Sequence, residues 1–343
     1  MTIAIHHRPG SFSDRWIEYC KKNGIDYKIV NVYDSDIVEQ VKGCDAFMWH
    51  HHHGDYRDVL FAKQLIYSLE EAGVKCFPDF HTTWHFDDKV GQKYLLEATG
   101  APLVPSYVFY TKEEAYAWIN QTTFPKVFKL RGGAGASNVK LAHNASEAKK
   151  FVDKAFGKGF PAFDRKGNLK EHYNKWRHGK EPFKSVVKGV GRLFIPTAFG
   201  KMHSPEKGYV YFQDFIPNNY YDIRVIVIDD KAFYIKRMVR EGDFRASGSG
   251  DIIYEKDVFT EKCIKLAFET NKKLKSQSTS FDFVMQGDKP LIVEISYGFA
   301  VKAYDNCEGY YDSEMTYHPG PFNPQEWMVD EVRQAALIAG GGI

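Results

Sequence analysis

The chain has 343 residues, 43% apolar and 26% charged, with a net charge of +2. This is the make-up of a soluble globular protein with room for two or three domains. No apolar run reaches membrane-span length, and MTIAIHHRPG lacks the basic, apolar and small regions of a secretory signal. Five scattered cysteines (Cys20, Cys44, Cys76, Cys263, Cys307) without a CxxC argue against a disulfide framework or structural zinc. They point to a reducing cytoplasm.

The first ninety residues alternate like a parallel α/β unit. TIAIH reads as a strand, and Ser13 to Lys22 as a helix capped by Ser13. YKIVNVY is a second strand and Ser35 to Lys42 a second helix. DAFMWH is a third strand, Val59 to Ala72 an amphipathic helix, and VKCF a fourth strand. Ligands of such sheets bind beyond the carboxyl ends of the strands. Three of those ends carry unusual residues: His6, His7 and Arg8; His50 to His53 with Asp55; and Phe80 with His81. The run of four histidines is a weak metal site, because adjacent residues on an extended chain point in opposite directions. A polar rim over a substrate pocket and a surface loop both remain open readings.

Asp87 and Asp88 can cap a helix running to Thr99 and ended by Gly100, followed by a strand at Tyr107 to Tyr110. A helix from Lys112 to Asn120 leads to FPKVFKL and the loop RGGAGAS. This loop is not a P-loop. Gly133 and Gly135 begin like a dinucleotide fingerprint, but Asn138 stands where the third glycine belongs, and NVKLA reads as a strand rather than a helix. A glycine loop between two strands can close over phosphates with its backbone N–H groups, and Lys129 would add a point charge.

From Lys154 to Lys207 there are 13 Lys/Arg against 4 Asp/Glu, so this segment carries +9 and the remainder −7. A solvated insertion is the plain reading. The sharper one is a docking surface for an anionic polymer or a membrane face, which would place the protein at the inner side of the membrane. Tyr173, Trp176 and Phe183 are interleaved with the charge, yet no nucleic-acid module is legible.

The carboxyl half is strand-rich: YVYFQDFI, DIRVIVI and KAFYIKRMV, then the loop EGDFRASGSGDI. Arg245 in that glycine- and serine-rich loop suits an anion, since a planar guanidinium binds oxygens in pairs. A helix from Thr260 to Leu274 precedes STSFDFVM and PLIVEIS, which read as adjacent strands. Asp282 and Glu294 can then converge on one face as hard oxygen ligands for Mg²⁺ bound to a nucleotide.

Six motifs in order, DDK, FPKVFKLRGGAGA, QDFIPNNYYDIR, EGDFRAS, FDFV and VEIS, resemble the ATP-grasp superfamily. The resemblance is strongest to the branch of the ribosomal-protein glutamate ligase. It implies an α/β plus α+β fold: an N-terminal Rossmann-like domain (1–86), a small lobe (87–210) with the basic insertion at about 154–207, and a large lobe with a C-terminal cap (211–343). It implies ATP and two Mg²⁺ ions, replaceable by Mn²⁺, and a carboxylate–amine ligase working through an acyl phosphate. Lys89, Lys129, Gly133, Gly135, Gln213, Asp214, Phe215, Asp222, Ala246 and Ser247 would contact ATP. Arg245, Lys236 and Arg224 would serve the transferring group, and Asp282, Glu294 and Ser296 the metal.

Ser296 replaces the family's usual asparagine, which puts the second metal in doubt. The basic segment is longer than in relatives, so their substrates do not carry over. A sugar acid or surface glycan with a small amine acceptor is one expectation; a peptide or protein terminus is another. The aromatic tail after Tyr297 is expected either to line the acceptor pocket or to pack as a cap. A phosphotransferase and a non-catalytic nucleotide-binding module stay open as alternatives.

Overall fold

The computed structural model describes residues 1–340 except 134–137, 162–166, 168, 170–171, 174–175, 178, 180–181, 195–201, 203, 241, 247 and 249. Gly135 and Ser247, both expected at the site, lie outside the described residues, as does much of the basic segment.

The chain opens with four parallel strands, β1 (Ile3–His6), β2 (Tyr27–Val30), β3 (Ala46–Met48) and β4 (Lys75–Phe77), in the order β2-β1-β3-β4. Helices α1 (Phe12–Lys22), α2 (Ile37–Val41), α3 (Tyr56–Glu71) and the single turn α4 (Phe80–Thr83) connect them. Alternation along the strands sends Ala4, Phe47 and Cys76 to one face, against Ala62, Leu65 and Ile66. Ile3, Ile5 and Met48 go to the other face, against Phe12 and Trp16.

Helix starts in this unit differ from the sequence reading: α2 begins at Ile37 rather than Ser35, and α1 and α3 differ through their caps. The cap of α1 is Ser11, whose hydroxyl accepts from the Ser13 N–H; Ser13 is already inside the helix. Helix α3 begins three residues earlier than expected because Asp55 caps it and pairs with Arg57, so Asp55 is a structural carboxylate.

After α5 (Lys89–Ala98), capped by Asp88, come β5 (Ser106–Phe109), α6 (Lys112–Ile119), β6 (Lys126–Lys129), β7 (Lys140–Ala142), α7 (Ala145–Ala155), α8 (Phe183–Phe194) and β8 (Val210–Asp214). The four strands form an antiparallel sheet in the order β5-β8-β6-β7. Strands β6 and β7 flank the glycine loop as a strand pair, as NVKLA suggested.

The large sheet has the order β13-β12-β9-β10-β14-β15, with β11 paired to β10. It comprises β9 (Tyr221–Ile228), β10 (Lys231–Met238), β11 (Ile252–Ile253), β12 (Ser278–Gln286), β13 (Lys289–Ser296), β14 (Gly309–Asp312) and β15 (Tyr317–Pro319). One face packs on α9 (Val258–Leu274) through Ile223, Val225, Phe281 and Phe283. The other face has two zones. Ile226, Ile228, Phe233 and Ile235 join the core of the N-terminal sheet, whereas Asp222, Arg224, Arg237 and Asp282, further along the same rows, face a cavity.

The tail does both things expected of it. Gly298 to Tyr304 lines the cavity, and α10 (Pro324–Gly340) packs against α1 and β4 through Met328, Val329 and Val332. Arg15 on α1 ties this cap down by pairing with Asp305 at 2.7 Å and donating to Gln325 at 3.1 Å.

Helix α9 starts at Val258, two residues before the expected Thr260, because Asp257 forms a capping box with Thr260. The same carboxylate accepts from Tyr221 at 2.8 Å and from the buried Lys236 at 3.2 Å. Asp257→Ala removes the cap and strands a buried ammonium. It should cost about 2 kcal/mol, the upper end of cap losses, read as a lowered denaturation midpoint, with Asp257→Asn losing less.

Candidate active site

A cavity of about 1250 Å³ lies where the three sheets meet. Its walls come from the loops after β1 and β3, the ends of β6 and β8, the polar rows of β9, β10, β12 and β13, and the loops at 243–250 and 298–304.

Lys89 stands in the first turn of α5 and is almost fully buried. Its ammonium reaches Glu294 at 3.0 Å and the Gly133 carbonyl at 2.9 Å. Burial alone would lower its pKa, but the charges of Glu294 and Asp87 outweigh that and hold it above its ordinary value. Asp87 sits at a positive φ of 54° and accepts from the Gly133 N–H at 2.8 Å, which fixes the stem of the glycine loop. Burial pushes Asp87 up to about 6. Lys129 ends β6, donates to Gln213 at 2.6 Å and has no carboxylate partner among its described contacts. Burial lowers it to about 8.

Asp282 and Glu294 are direct cross-strand partners, so they share one face beside a β-bulge between Asp282 and Phe283. Neither carboxylate stands alone. Asp282 takes a bidentate pair from Arg224 at 2.5 and 2.7 Å and a third contact from Arg237 at 2.9 Å. Desolvation would raise it, yet the two guanidinium groups hold it well below the usual carboxylate range. Arg237 also grips Asp222 with a bidentate pair. Asp222 thus lines the cavity with its oxygens already engaged.

Gln213 is buried and ties β6 to the large sheet, donating to Ser106 at 3.0 Å and to the Val293 carbonyl at 3.3 Å. Asp214 pairs with Lys126 at 2.5 Å. Phe215 faces Phe244 edge-on at 6.1 Å, bringing the end of β8 to the arginine loop. In that loop Arg245 pairs with Asp243 through Nε at 2.9 and 3.0 Å, and both Arg245 and Ala246 line the cavity. The Ser296 hydroxyl donates to the Gly298 carbonyl at 3.0 Å and accepts from its N–H at 3.2 Å, so it closes a turn at the cavity wall.

Lys236 does not join this group. Strand period sends Arg237 into the cavity and its neighbour Lys236 to the α9 side, against Asp257 and Tyr221. Arg237 is the cation that the sequence reading missed. The signal was available in KRM: with Arg224 and Asp222 taken as inward on β9, the antiparallel partner of Asp222 must point inward too.

The histidine run divides along the same lines. His50, His52 and His53 line the cavity, whereas His51 is buried against Thr83. His50 stacks on Phe12 at 3.7 Å and accepts from its N–H at 3.2 Å. Burial lowers His52 and His53 to about 4. These imidazoles are neutral packing groups, and among the described residues no group of three or more His, Cys, Asp or Glu could hold a metal.

Residues 201–309 match the RimK-like ATP-grasp domain. The whole chain also superposes on solved structures. It matches the D-alanine–D-alanine ligase of Bacillus anthracis complexed with ATP, with a TM-score of 0.59 and 14% identity over 98% of each chain. An ATP-grasp RimK domain protein of Sphaerobacter thermophilus gives 0.56 and 14% over 97% of this chain and 100% of that one. The biotin carboxylase domain of Hydrogenobacter thermophilus 2-oxoglutarate carboxylase, in complex with MgADP, gives 0.58 and 16% over 99% and 70%. The chain has the ATP-grasp fold. The six motifs therefore pointed to the right fold. In a sequence comparison, none of the curated proteins matches the chain.

The two lysines of this cavity differ in a way that titration can read. Lys129 loses its proton near pH 8, while Lys89 stays charged. A triphosphate held against Lys129 would stabilise its charged form, so that binding above pH 8 would take up a proton. On that reading, affinity for a non-hydrolysable ATP analogue should fall about 25-fold between pH 7.5 and pH 9.5, the loss for one group of pKa about 8 that binds only when charged. Lys129→Met should bind more weakly at pH 7.5 and show a flat profile by calorimetry.

Proposed function

We propose that this ATP-grasp chain is an ATP-dependent carboxylate–amine ligase. The observation that carries the reading is the convergence of Lys89, Lys129, Arg224 and Arg237 with Asp282 and Glu294 in one cleft between two sheets. The 1–86, 87–210 and 211–343 divisions serve as an N-terminal Rossmann-like domain and the two lobes that grip nucleotide, with the second boundary moved past β8, whose residues up to Asp214 pair within the small lobe's sheet. Lys89 and Lys129 hold phosphates, with the backbone at Gly133 and Gly135 covering them. Gln213 to Phe215 form the edge against adenine, and Asp222 lies at the ribose end. Arg245, with Ala246 and Ser247, leaves Asp243 to hold the transferring group.

Hard oxygen donors on rigid strands fit Mg²⁺, and one or two carboxylates completed by phosphates and water are its usual protein share. Asp282 and Glu294, with Ser296 alongside, would hold one or two ions, for which Mn²⁺ can stand in. When bound, the metal supplies neutralisation of phosphate oxygens. A carboxylate oxygen of the donor forms a bond to the γ-phosphorus while the bond to the ADP oxygen breaks, and Arg224, Arg237 and Arg245 shield the charge that builds. The amine then attacks the acyl carbon, phosphate leaves, and the nitrogen gives up a proton to yield the amide. Closure of the glycine loop keeps water from the acyl phosphate. The basic segment and the aromatic Phe299 to Tyr304 wall favour a sugar acid or glycan carboxylate as donor.

Because Lys89 already neutralises Glu294, and Arg224 with Arg237 neutralises Asp282, metal alone faces a site without spare negative charge. Mn²⁺ should bind at least tenfold more tightly with the ATP analogue present than without it, measured by electron paramagnetic resonance. Asp282→Asn should erase that difference.

The reaction itself is tested by Mg²⁺-dependent ADP release over sugar acids and peptides crossed with amines, with mass spectrometry of the product. An amide product in the wild type, and a turnover reduced about 10²- to 10³-fold in Arg245→Ala at unchanged melting temperature, is the expected result. Stable phosphorylated product without need of an amine would make the chain a phosphotransferase. Nucleotide binding with no ADP release from any pair would make it a binding module.

A further inference from the structure

Among the described residues, helix α8 contributes none to the walls of the cleft. Its sequence, FKSVVKGVGRLF, contains Lys184, Lys188 and Arg192 and no acid. At about 100° per residue, Phe183, Val187 and Val190 fall on one stripe. That stripe faces outward: the three residues are 57%, 55% and 43% exposed. The side that packs adjoins the stripe at Val186, about 40° round from Val190. Val186 is buried, and Gly189, further round, lies so close to Leu169 that a methyl group there would meet its Cδ1 at 3.1 Å. The helix is thus held to the protein by that side, while Phe183, Val187 and Val190 stay exposed.

Among the described residues, Lys184 borders the stripe on its free side, Lys188 lies next to it further round the exposed arc, and both are exposed. At its start, Trp176 contacts Phe183 at 5.2 Å and Tyr173 contacts Trp176 at 5.8 Å, and all three rings are exposed. The enclosing segment, 154–207, carries +9. A soluble polyanion would use the charge and leave the apolar stripe without purpose; an ordinary apolar partner would use the stripe and meet uncompensated lysines. An anionic bilayer satisfies both, since it offers apolar depth beneath a layer of negative charge, and Trp and Tyr settle at that boundary. No helix is long and apolar enough to cross a membrane among the described residues, so the attachment lies in the plane of the surface.

We infer that α8, with Tyr173 and Trp176, docks the protein onto the surface of an anionic phospholipid bilayer, Phe183, Val187 and Val190 entering the interface and Lys184 and Lys188 meeting the headgroups. This holds whether or not the cleft is that of a ligase. The test is cosedimentation of the full chain with vesicles of phosphatidylcholine, with and without about 30% phosphatidylglycerol, at about 0.1 M salt. Partition onto the anionic vesicles should exceed that onto neutral ones at least tenfold and fall with added salt. Val187→Ser/Val190→Ser and Lys184→Glu/Lys188→Glu should each lose most of it, while affinity for the ATP analogue and the far-ultraviolet circular dichroism stay unchanged.

Wild-type protein that remains in the supernatant overturns the proposal. So does anionic-vesicle binding that the valine pair does not affect. Heparin binding lost in the lysine pair, without vesicle binding, assigns the surface to a soluble polyanion and also overturns it. Dimerisation abolished by the valine pair, again without vesicle binding, assigns the stripe to a second copy of the chain with the same consequence.

Discussion

Four charged side chains on three neighbouring strands, Asp222 and Arg224 on β9, Arg237 on β10 and Asp282 on β12, form a closed set in which each carboxylate is held by at least one guanidinium. Buried ions of this kind cannot be left single without a cost of several kcal/mol, so the register of the sheet and the charge balance of the cleft depend on each other. A slip of one residue on β9 or β12 would send a charge into the α9 core and an apolar side chain into the cleft, and one on β10 would exchange Arg237 for Lys236 or Met238. Glu294 and Lys89 extend the set to the helix of the small lobe. The cleft is therefore lined by charge that is already paired within the fold.

The same strands serve two ends at once. Beyond Arg224 the inward row of β9 continues as Ile226 and Ile228, and before Arg237 that of β10 holds Phe233 and Ile235. These apolar positions merge with Ile3, Ile5, Phe12 and Trp16 of the N-terminal sheet and with Met328, Val329 and Val332 of the last helix. One core thereby fixes the N-terminal wall of the cleft against the large lobe. Its burial of large side chains such as Trp16, Phe77 and Phe233 is the kind that contributes about 1.5–3 kcal/mol each.

Most of the elements could be read from the chain because their signals are local. Period-2 runs gave the strands, Gly100 ended α5, and the adjacency of STSFDFVM and PLIVEIS made Asp282 and Glu294 neighbours. What escaped was set by tertiary choice. Ser11 and Ser13 are equally good caps in isolation; a bond from the Arg8 N–H engages the Ser13 hydroxyl and leaves the role to Ser11. Lys236 and Arg237 are adjacent cations, and only the pairing of β10 with β9 tells which one faces the cleft. The histidine run looked chemical, yet its first member is spent on the Phe12 ring and backbone. The tail's division between cavity wall and cap depends on the tail and α10 returning to α1, a contact more than three hundred residues away in sequence.

The small lobe meets the large one along a narrow seam. Val104 donates to the Ile292 carbonyl at 2.8 Å, the Ile292 N–H returns a bond to Pro102 at 2.8 Å, and Gln213 reaches Val293 next to it. All of these anchor to β13, the edge strand of its sheet. Glu294 belongs to that same strand and Asp282 is its cross-strand partner, so the spacing of the two carboxylates is set within the large sheet and does not depend on how the small lobe leans on its margin.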